Sequence, residues 1–348
     1  MAKPAVREHT SLYRKYRPGV FDEVRGQEEV VTVLRAAIEQ NKIGHAYLFA
    51  GGRGTGKTSM ARILASALEV SEKDIYEIDA ASNRQVEDAR ALREGVSTMP
   101  FESRYKLYIL DEVHMLTKEA FNTLLKTLEE PPEHAIFVFA TTELDRVPET
   151  IQSRCQVFQF KKPSREILKQ LVLDVAKKEK VAIEPAAAEL VALMGDSSFR
   201  DTLSILQKVL TVSSDNKLTE EEVARVVGAP PARVINEFLS ALAEQNIGAA
   251  LQTLHKGLLG GAEPRVFTLL AVEKVRAVLL LRFAPDLKGE LTEQFGADDV
   301  AFLMGLSGKE GSAINASLLA ELITALLEVA RAPLPQVPLE LALYRALN

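Results

Sequence analysis

Residues 51–58 have the types and spacing of a phosphate-binding loop. Four of the first six are glycine, Lys57 and Thr58 follow, and an apolar run at 47–50 precedes them. This is the pattern G-x-x-x-x-G-K-[ST] between a predicted strand and a predicted helix. Glycine lets backbone N–H groups approach phosphate oxygens, and the helix N-terminus favours negative charge. A plain glycine-rich turn is the alternative. The context favours a nucleotide site in which Lys57 contacts the β- and γ-phosphates and Thr58 contacts Mg²⁺.

Two adjacent carboxylates end a second apolar run about fifty residues later. Asp111 and Glu112 follow the stretch 106–110. Phosphoryl transfer needs positioning and charge neutralisation, which carboxylates and a lysine can supply. Asp111 is placed to bind the Mg²⁺ shell, and Glu112 to orient and deprotonate the attacking water. Paired acids at a strand end are often only solvated, but their position after this loop favours the catalytic interpretation.

Strands and helices alternate around these two motifs. The pattern predicts strands at 47–50, 75–80, 106–112, 135–140 and 156–160, and helices at 28–39, 85–96, 117–130 and after residue 57. Such alternation is typical of a parallel sheet covered on both faces, with ligands beyond the carboxyl ends of its strands. Gly51, Asp111, Glu112 and Thr142 all fall at those ends, so the sequence predicts that they converge.

The rest of the chain reads as helical. Residues 161–163 resemble a linker, the stretch to 228 shows short helices only, and the last third shows further helices. Thr219 and Glu222 have the spacing of a capping box. The predicted domains are 1–162, a nucleotide-binding domain; 163–228, a helical domain; and 229–348, a second helical domain.

Composition narrows the class of protein. The chain has 348 residues, 47% of them hydrophobic, a formal net charge of −6 and one cysteine, Cys155. One cysteine excludes an internal disulfide and a thiolate zinc cluster. No signal peptide is recognised, and the most apolar stretch, 266–281, is interrupted by charged residues. A cytoplasmic protein without a membrane span is expected. The basic and aromatic stretch 12–18 suits a nucleic-acid strip or an arm beside the nucleotide base.

Five stretches closely resemble the gamma/tau subunits of bacterial DNA polymerase III, the AAA+ ATPases of the sliding-clamp loader. The stretches are 13–18 (YRKYRP), 45–49 (HAYLF), 78–82 (IDAAS), 111–116 (DEVHML) and 124–134 (LLKTLEEPPEH). The resemblance spans roughly residues 11–230, and it extends more loosely over 231–348. It implies an α/β AAA+ P-loop domain with a five-stranded parallel sheet, a small helical lid domain and an all-α collar domain that mediates oligomerisation.

The resemblance also implies site residues. Thr142 matches a sensor of the γ-phosphate or its water; the alternative is an ordinary hydroxyl at a strand end. Arg154 matches an arginine finger donated to a neighbouring subunit; the alternative is a surface ion pair. Arg200 matches a second sensor linked to the lid; the alternative is an ordinary arginine at a helix N-terminus. The nucleotide-binding residues expected are Tyr13, Arg17, Gly51, Gly52, Arg53, Gly54, Thr55, Gly56, Lys57, Thr58, Ser59 and Arg200. Arg84, at a helix start, is the DNA-backbone candidate, with a salt bridge to Glu87 or Asp88 as the alternative.

Three departures from the family pattern stand out. The cysteine zinc module between the loop helix and the second strand is missing, so zinc is not expected. Arg25 replaces a small aliphatic residue near the adenine, and residues 196–199 replace a glycine-containing version ahead of Arg200.

The expected function is an ATP-driven motor subunit of the DNA polymerase III holoenzyme, a DNA-directed DNA polymerase. It would use ATP and Mg²⁺, act with other loader subunits in a ring, and load the sliding clamp on primed DNA. The alternatives are a non-hydrolysing, stator-like loader subunit and another AAA+ DNA remodeller such as a branch-migration helicase.

Overall fold

The chain forms two compact units in a computed structural model, which describes residues 11–82, 86–212, 217–309 and 311–347. The first unit runs to Leu171 and includes Gly195–Ser204, and the second comprises Val172–Met194 and the chain from Ile205 onward. The division into three domains stays a prediction. Within the described ranges, no helix combines the length and apolar character needed to cross a membrane.

Five parallel strands form the sheet of the first unit. They are β1 (Ala46–Gly51), β2 (Ile75–Asp79), β3 (Lys106–Asp111), β4 (Ala135–Thr141) and β5 (Gln156–Phe160). Their spatial order is β2-β3-β4-β1-β5, and all neighbouring pairs are parallel. The five-stranded parallel sheet predicted from the sequence is therefore confirmed. Because β4 lies between β1 and β3, its carboxyl end separates the glycine-rich loop from the paired carboxylates.

Helices of the first unit cover both faces of this sheet. They are α1 (Leu12–Lys15), α2 (Glu28–Glu39), α3 (Lys57–Ala67), α4 (Val86–Val96), α5 (Lys118–Glu129), α6 (Glu149–Gln152) and the first half of α7 (Arg165–Lys178). Successive side chains of a strand point to opposite faces. Accordingly Phe49 packs in one core cluster with Met60 of α3, while Leu48 packs in the other with Phe121 of α5.

The second unit contains one feature that the helical pattern missed. Between residues 163 and 228 the sequence predicts helices only, but β6 (Ala182–Ile183) and β7 (Lys217–Leu218) pair in parallel. Two-residue strands are too short to show an alternating pattern, which is why the prediction failed there. Besides α7, the helices between residues 163 and 228 are α8 (Pro185–Met194), α9 (Phe199–Val212), whose residues up to Ser204 belong to the first unit, and α10 (Glu220–Val227). The capping box is confirmed, because the Thr219 hydroxyl and the Glu222 carboxylate each accept a backbone N–H at the start of α10.

The remaining third is helical, as predicted. Its helices are α11 (Ala232–Ala243), α12 (Ile247–Leu259), α13 (Pro264–Phe283), α14 (Lys288–Phe295), α15 (Ala297–Ser307), α16 (Ala316–Val329) and α17 (Val337–Leu347). They share one apolar core that includes Phe238, Phe267 and Leu339. One charged side chain is buried beside it. Lys274 of α13, 7% exposed, donates to Asp299 Oδ2 at 2.7 Å and to Asn236 Oδ1 at 2.9 Å.

Candidate functional site

The loop between β1 and α3 requires glycine at two positions for steric reasons. A Cβ at Gly51 would lie 2.5 Å from the carbonyl oxygen of Phe160, the last residue of β5. Gly54 has φ +70°, and a Cβ there would lie 2.0 Å from Ser198 Oγ. Both contacts are too short for any other residue without displacement of the neighbour. The glycines therefore let the loop fold tightly against segments that are distant in sequence.

Lys57 is buried at the start of α3 with its charge uncompensated by a direct ion pair. Its side chain folds back over the loop, and Nζ donates to the carbonyl oxygens of Gly51 and Gly52, each at 2.8 Å. The residue is only 5% exposed. Burial lowers the pKa of Lys57, and the negative charges of Glu112 and Asp111 oppose that shift. In the described part of the chain, no carboxylate lies within ion-pair distance of Nζ. A buried ammonium in this state is suited to an anionic ligand.

Thr58 and Asp111 are brought together from opposite sides of β4. The Thr58 hydroxyl donates to Asp111 Oδ2 at 2.8 Å, and Asp111 Oδ1 accepts the backbone N–H of Glu112 at 2.9 Å. Hydroxyl and carboxylate oxygens are the hard donors that Mg²⁺ prefers. This pair, next to Lys57, fits the Mg²⁺ site that the sequence predicts.

The two oxygens of the Glu112 carboxylate lie in different environments. Oε2 accepts the hydroxyl of Thr142 at 2.9 Å and its backbone N–H at 3.3 Å. Oε1 receives no hydrogen bond from any residue that the structure describes. The backbone of Glu112 is left-handed, with φ +48°, a conformation that is unfavourable for a non-glycine residue. Glu112 is thus anchored through one oxygen, and the other is available to a water molecule.

A cavity of about 420 Å³ opens beside the loop. Of the predicted site residues, those that line it are Tyr13, Arg17, Arg53, Gly54, Thr55, Gly56, Lys57, Thr58, Ser59, Asp111, Glu112 and Arg200. Arg25 also lines the cavity. Gly51, Gly52, Thr142 and Arg154 do not, although the first three contact Lys57 or Glu112. The cavity residues lie within the first unit, and their basic side chains match a polyanion.

The segment that carries Arg200 is held against the loop by the main chain. The N–H of Phe199 donates to the carbonyl of Gly54 at 3.0 Å, and the Arg200 guanidinium lies 5.0 Å from the ring centroid of Tyr13. Just ahead, Asp196 and Ser197 have φ of +47° and +57°. These are conformations that glycine adopts without strain. The backbone ahead of Arg200 is therefore strained at these two residues.

Arg154 lies away from this cavity. Its Nη2 contacts Glu129 Oε1 at 2.5 Å and its Nη1 donates to the carbonyl of Thr150 at 2.8 Å. The surface ion pair given as its alternative is thus present in the isolated chain. The geometry does not test a role toward a neighbouring subunit.

Two site residues escaped the sequence analysis. Gln27, 4% exposed, lines the cavity, and its amide exchanges two hydrogen bonds with the backbone of Lys161, at 2.7 and 3.1 Å. His114 lies 3.5 Å from Glu112 Oε2 through Nδ1. Proximity in sequence to Glu112 was the available signal for His114, whereas nothing in the sequence pairs Gln27 with Lys161.

Neither the Arg84 prediction nor the zinc prediction is tested by the structure. Arg84 lies outside the described residues. In the described part of the chain, no group of three or more His, Cys, Asp or Glu side chains could hold a metal ion. Since this finding does not cover the whole chain, the absence of zinc stays a prediction.

Cys155 is half-buried against an apolar cluster, and burial raises the pKa of its thiol to about 12. That thiol is therefore protonated at neutral pH.

Two family models match the chain. One, "DNA polymerase III, delta subunit", covers residues 26–83 and 69–164, and the other, "DNA polymerase III subunits gamma and tau domain III", covers residues 218–348. The DNA polymerase III subunit tau of Bacillus subtilis is 39% identical over 304 residues, which are 81% of this chain and 54% of that protein. The subunit tau of Escherichia coli is 35% identical over 79% of this chain and 46% of that protein. The chain thus spans about half the length of these relatives.

Solved structures support the fold. The Holliday junction branch migration motor RuvB of Thermotoga maritima superposes with a TM-score of 0.53 and 23% identity, over 74% of this chain and 91% of that one. At this identity the likeness concerns the fold alone. The fold class predicted from the sequence, a five-stranded parallel sheet followed by a mostly helical region, is confirmed.

Proposed function

Because the chain belongs to the gamma/tau family of DNA polymerase III subunits, we propose that it is an ATP-hydrolysing motor subunit of a sliding-clamp loader. In this role it would assemble in a ring with other loader subunits, open the sliding clamp and place it on primed DNA. The lid domain, 163–228, and the collar domain, 229–348, would transmit the nucleotide state and hold the ring together.

One observation carries the proposal: three elements of an ATPase meet at one edge of the sheet. Lys57 is buried without an ion-pair partner among the described residues, Thr58 is hydrogen-bonded to Asp111, and Glu112 is anchored by Thr142. A stator-like subunit that never hydrolyses ATP has no need of this complete set. The set therefore favours a motor over a stator.

The residues divide the chemistry among them. Lys57 and the loop amides neutralise and hold the β- and γ-phosphates. Thr58 and Asp111 would hold Mg²⁺, which neutralises charge on phosphate oxygens when bound. Glu112 Oε1 accepts a proton from water while the water oxygen attacks the γ-phosphorus. The bond from that phosphorus to the bridging oxygen breaks, and ADP leaves.

Residues away from Glu112 would couple hydrolysis to the assembly. Thr142 donates to Glu112 Oε2, so the proposed γ-phosphate sensor would be linked directly to the base. Arg200 reaches the cavity from the first turn of α9, which suits a sensor linked to the lid. Arg154 would act on the nucleotide of the next subunit.

A phosphate-release assay tests the proposal. The full chain, reconstituted with the other loader subunits, should hydrolyse ATP faster when clamp and primed DNA are both added. Glu112→Gln keeps the size of the side chain but removes the base, so ATP should bind and persist. Glu119→Gln, which makes the same change at an exposed carboxylate on α5, is the control. Wild-type turnover by Glu112→Gln, or no stimulation by clamp and DNA, would contradict the proposal.

A further inference from the structure

His114 is a buried histidine that the hydrolysis described above does not use. Its side chain is 6% exposed, and its two ring nitrogens face two different carboxylates. Nδ1 lies 3.5 Å from Glu112 Oε2 and 3.1 Å from Thr141 Oγ1. Nε2 lies 3.3 Å from Glu143 Oε1. The imidazole therefore links the turn that follows β3 to the segment that follows β4.

The turn places the ring where it can act on Glu112. Residues Val113–Met115 form a 3₁₀ turn, and the N–H of Met115 donates to the carbonyl of Glu112 at 2.9 Å. Glu112 itself is left-handed, and such backbone persists only where surrounding contacts determine it. Val113 is fully buried, so packing in the core holds one side of the turn. His114 holds the other side through its contact with Thr141 at the end of β4.

The contacts on Glu112 fall on one oxygen. Thr142 donates twice to Oε2, and His114 approaches the same atom. Oε1, the oxygen proposed to receive the proton, is left without a hydrogen bond from any described residue. We propose that His114 is a positioning residue for Glu112: it fixes the carboxylate through Oε2, so that Oε1 keeps its aim toward the attacking water. The inference rests on the proposed role of Glu112 as base.

Nε2 of His114 faces Glu143, which connects the imidazole to the protein surface. Glu143 Oε2 pairs with Arg146 Nε at 2.9 Å, and Arg146 is 64% exposed. The backbone N–H of Glu143 also donates to Thr141 Oγ1 at 3.0 Å, which keeps that carboxylate close to the imidazole. Glu143 is therefore an outer support of the same arrangement, and its loss should act in the same direction as loss of His114 but more weakly.

Three substitutions in the assembled loader test the proposal. His114→Leu fills the space but removes both polar edges. His114→Asn returns an amide near the position of Nδ1. His134→Leu is the matched control, because His134 is half-buried in the same unit and its Nε2 contacts the carbonyl of Val96 at 3.0 Å, away from the site. ATP affinity, turnover and thermal unfolding are measured for each variant.

A misplaced catalytic group lowers turnover without weakening ground-state binding. His114→Leu should lower kcat roughly 10-fold to 100-fold, since a displacement of about 1 Å can have that effect. ATP affinity should stay within about 2-fold, because the residue makes no contact with the phosphate loop. His114→Asn should recover part of kcat, and His134→Leu should keep it.

A double variant separates positioning from general destabilisation. If His114 acts through Glu112, His114→Leu should cause no further loss in the Glu112→Gln background. A multiplied loss, or equal kcat for His114→Leu and His134→Leu, would overturn the inference and leave the proposed function standing. Full turnover by Glu112→Gln alone would overturn both. Should His114→Leu not fold, Glu143→Gln on the surface must lower kcat, or the inference is wrong.

Discussion

Two buried lysines in this chain show opposite ways of keeping a charge inside a protein. Lys274, in the helical second unit, donates to the Asp299 carboxylate at 2.7 Å and to the amide oxygen of Asn236 at 2.9 Å. Lys57, in the first unit, donates to two backbone carbonyls and, among the described residues, to no carboxylate. Both side chains are almost fully buried. One charge is neutralised within the fold and the other is not.

The difference separates a structural cation from one prepared for a ligand. An ammonium without a carboxylate partner is unfavourable in the interior. Such a group persists where a bound ligand recovers the energy, which is the role proposed for Lys57 toward a triphosphate. A buried cation that lacks a carboxylate partner and also lines a cavity therefore indicates a ligand site. Lys106, buried with carbonyl and hydroxyl partners, is not among the residues that line this cavity. Four predictions test this rule, beginning with the largest effect.

Arg154 is the cation whose pairing and expected role disagree. It is paired with Glu129 in its own chain, so the comparison would class it as structural, yet the family resemblance assigns it to a neighbouring active site. As a trans finger it would neutralise charge in the transition state, an effect of about 10³–10⁵ in rate. We expect Arg154→Ala to leave ATP binding by the isolated chain unchanged and to lower hydrolysis in the assembly by about 10³-fold or more.

Arg35→Ala is the matched control for Arg154, because Arg35 forms a similar ion pair with Asp22 at 2.6 Å. Assemblies that mix Arg154→Ala with Glu112→Gln chains refine the test. Hydrolysis should survive only where a wild-type finger abuts an intact Glu112. Normal stimulated hydrolysis by the Arg154→Ala assembly would show that Arg154 is a surface ion pair.

The second prediction tests whether the unpaired Lys57 contributes to ATP binding. We expect Lys57→Ala to weaken ATP binding by about 10²–10³-fold, because removal of one member of a buried charge pair typically costs about 2–5 kcal/mol. Calorimetric titration of the isolated chain measures this. Lys106→Ala is the control, since that lysine is buried in the same unit but bonded to Gly95 O and Thr98 Oγ1. Micromolar ATP affinity in Lys57→Ala would refute the assignment of the loop.

The third prediction tests whether the paired Lys274 contributes to stability and not to ATP binding. Lys274→Met leaves Asp299 without its cation, and breaking a buried pair costs about 3–5 kcal/mol of unfolding free energy. Because Asp299 is 24% exposed, we expect a loss near the lower limit, about 3 kcal/mol. Urea unfolding of the second unit measures it. The double variant Lys274→Met/Asp299→Leu should recover most of the stability, and ATP affinity should not change. An unaffected unfolding midpoint in the single variant would contradict the structural role.

The smallest expected effect is a pH dependence. Burial lowers the pKa of Lys57 below its ordinary value, so between these two pKa values the unfolded chain binds more protons than the folded one. Stability of the nucleotide-free protein should therefore rise as pH increases through this window. Lys57→Met should lack this contribution, and bound ATP should suppress it. The measurement is the difference in unfolding free energy between wild type and variant across the alkaline range; identical slopes would contradict the uncompensated charge.

The sequence predicts well those features that depend on short, repeated signals. Each of three features can be recognised from a few adjacent residues: the loop glycines, the strand that ends at Asp111 and the capping box at Thr219. Contacts between distant residues do not. Nothing in the sequence pairs Lys274 with Asp299, or brings Ser198 within reach of Gly54, because such contacts depend on how helices and loops pack. The two-residue strands β6 and β7 were missed for the complementary reason, since they are too short for any period.

The assignment of residues Gly195–Ser204 to the first unit affects how the gene can be divided. A recombinant fragment that stops at residue 162 or 171 would contain the phosphate loop and all five strands of the sheet. It would nevertheless lack Phe199, whose N–H bonds to Gly54, and Arg200 beside Tyr13. A nucleotide-binding fragment intended for expression, labelling or screening should therefore extend past residue 204. A continuous segment that holds the whole first unit therefore also carries Val172–Met194 of the second unit.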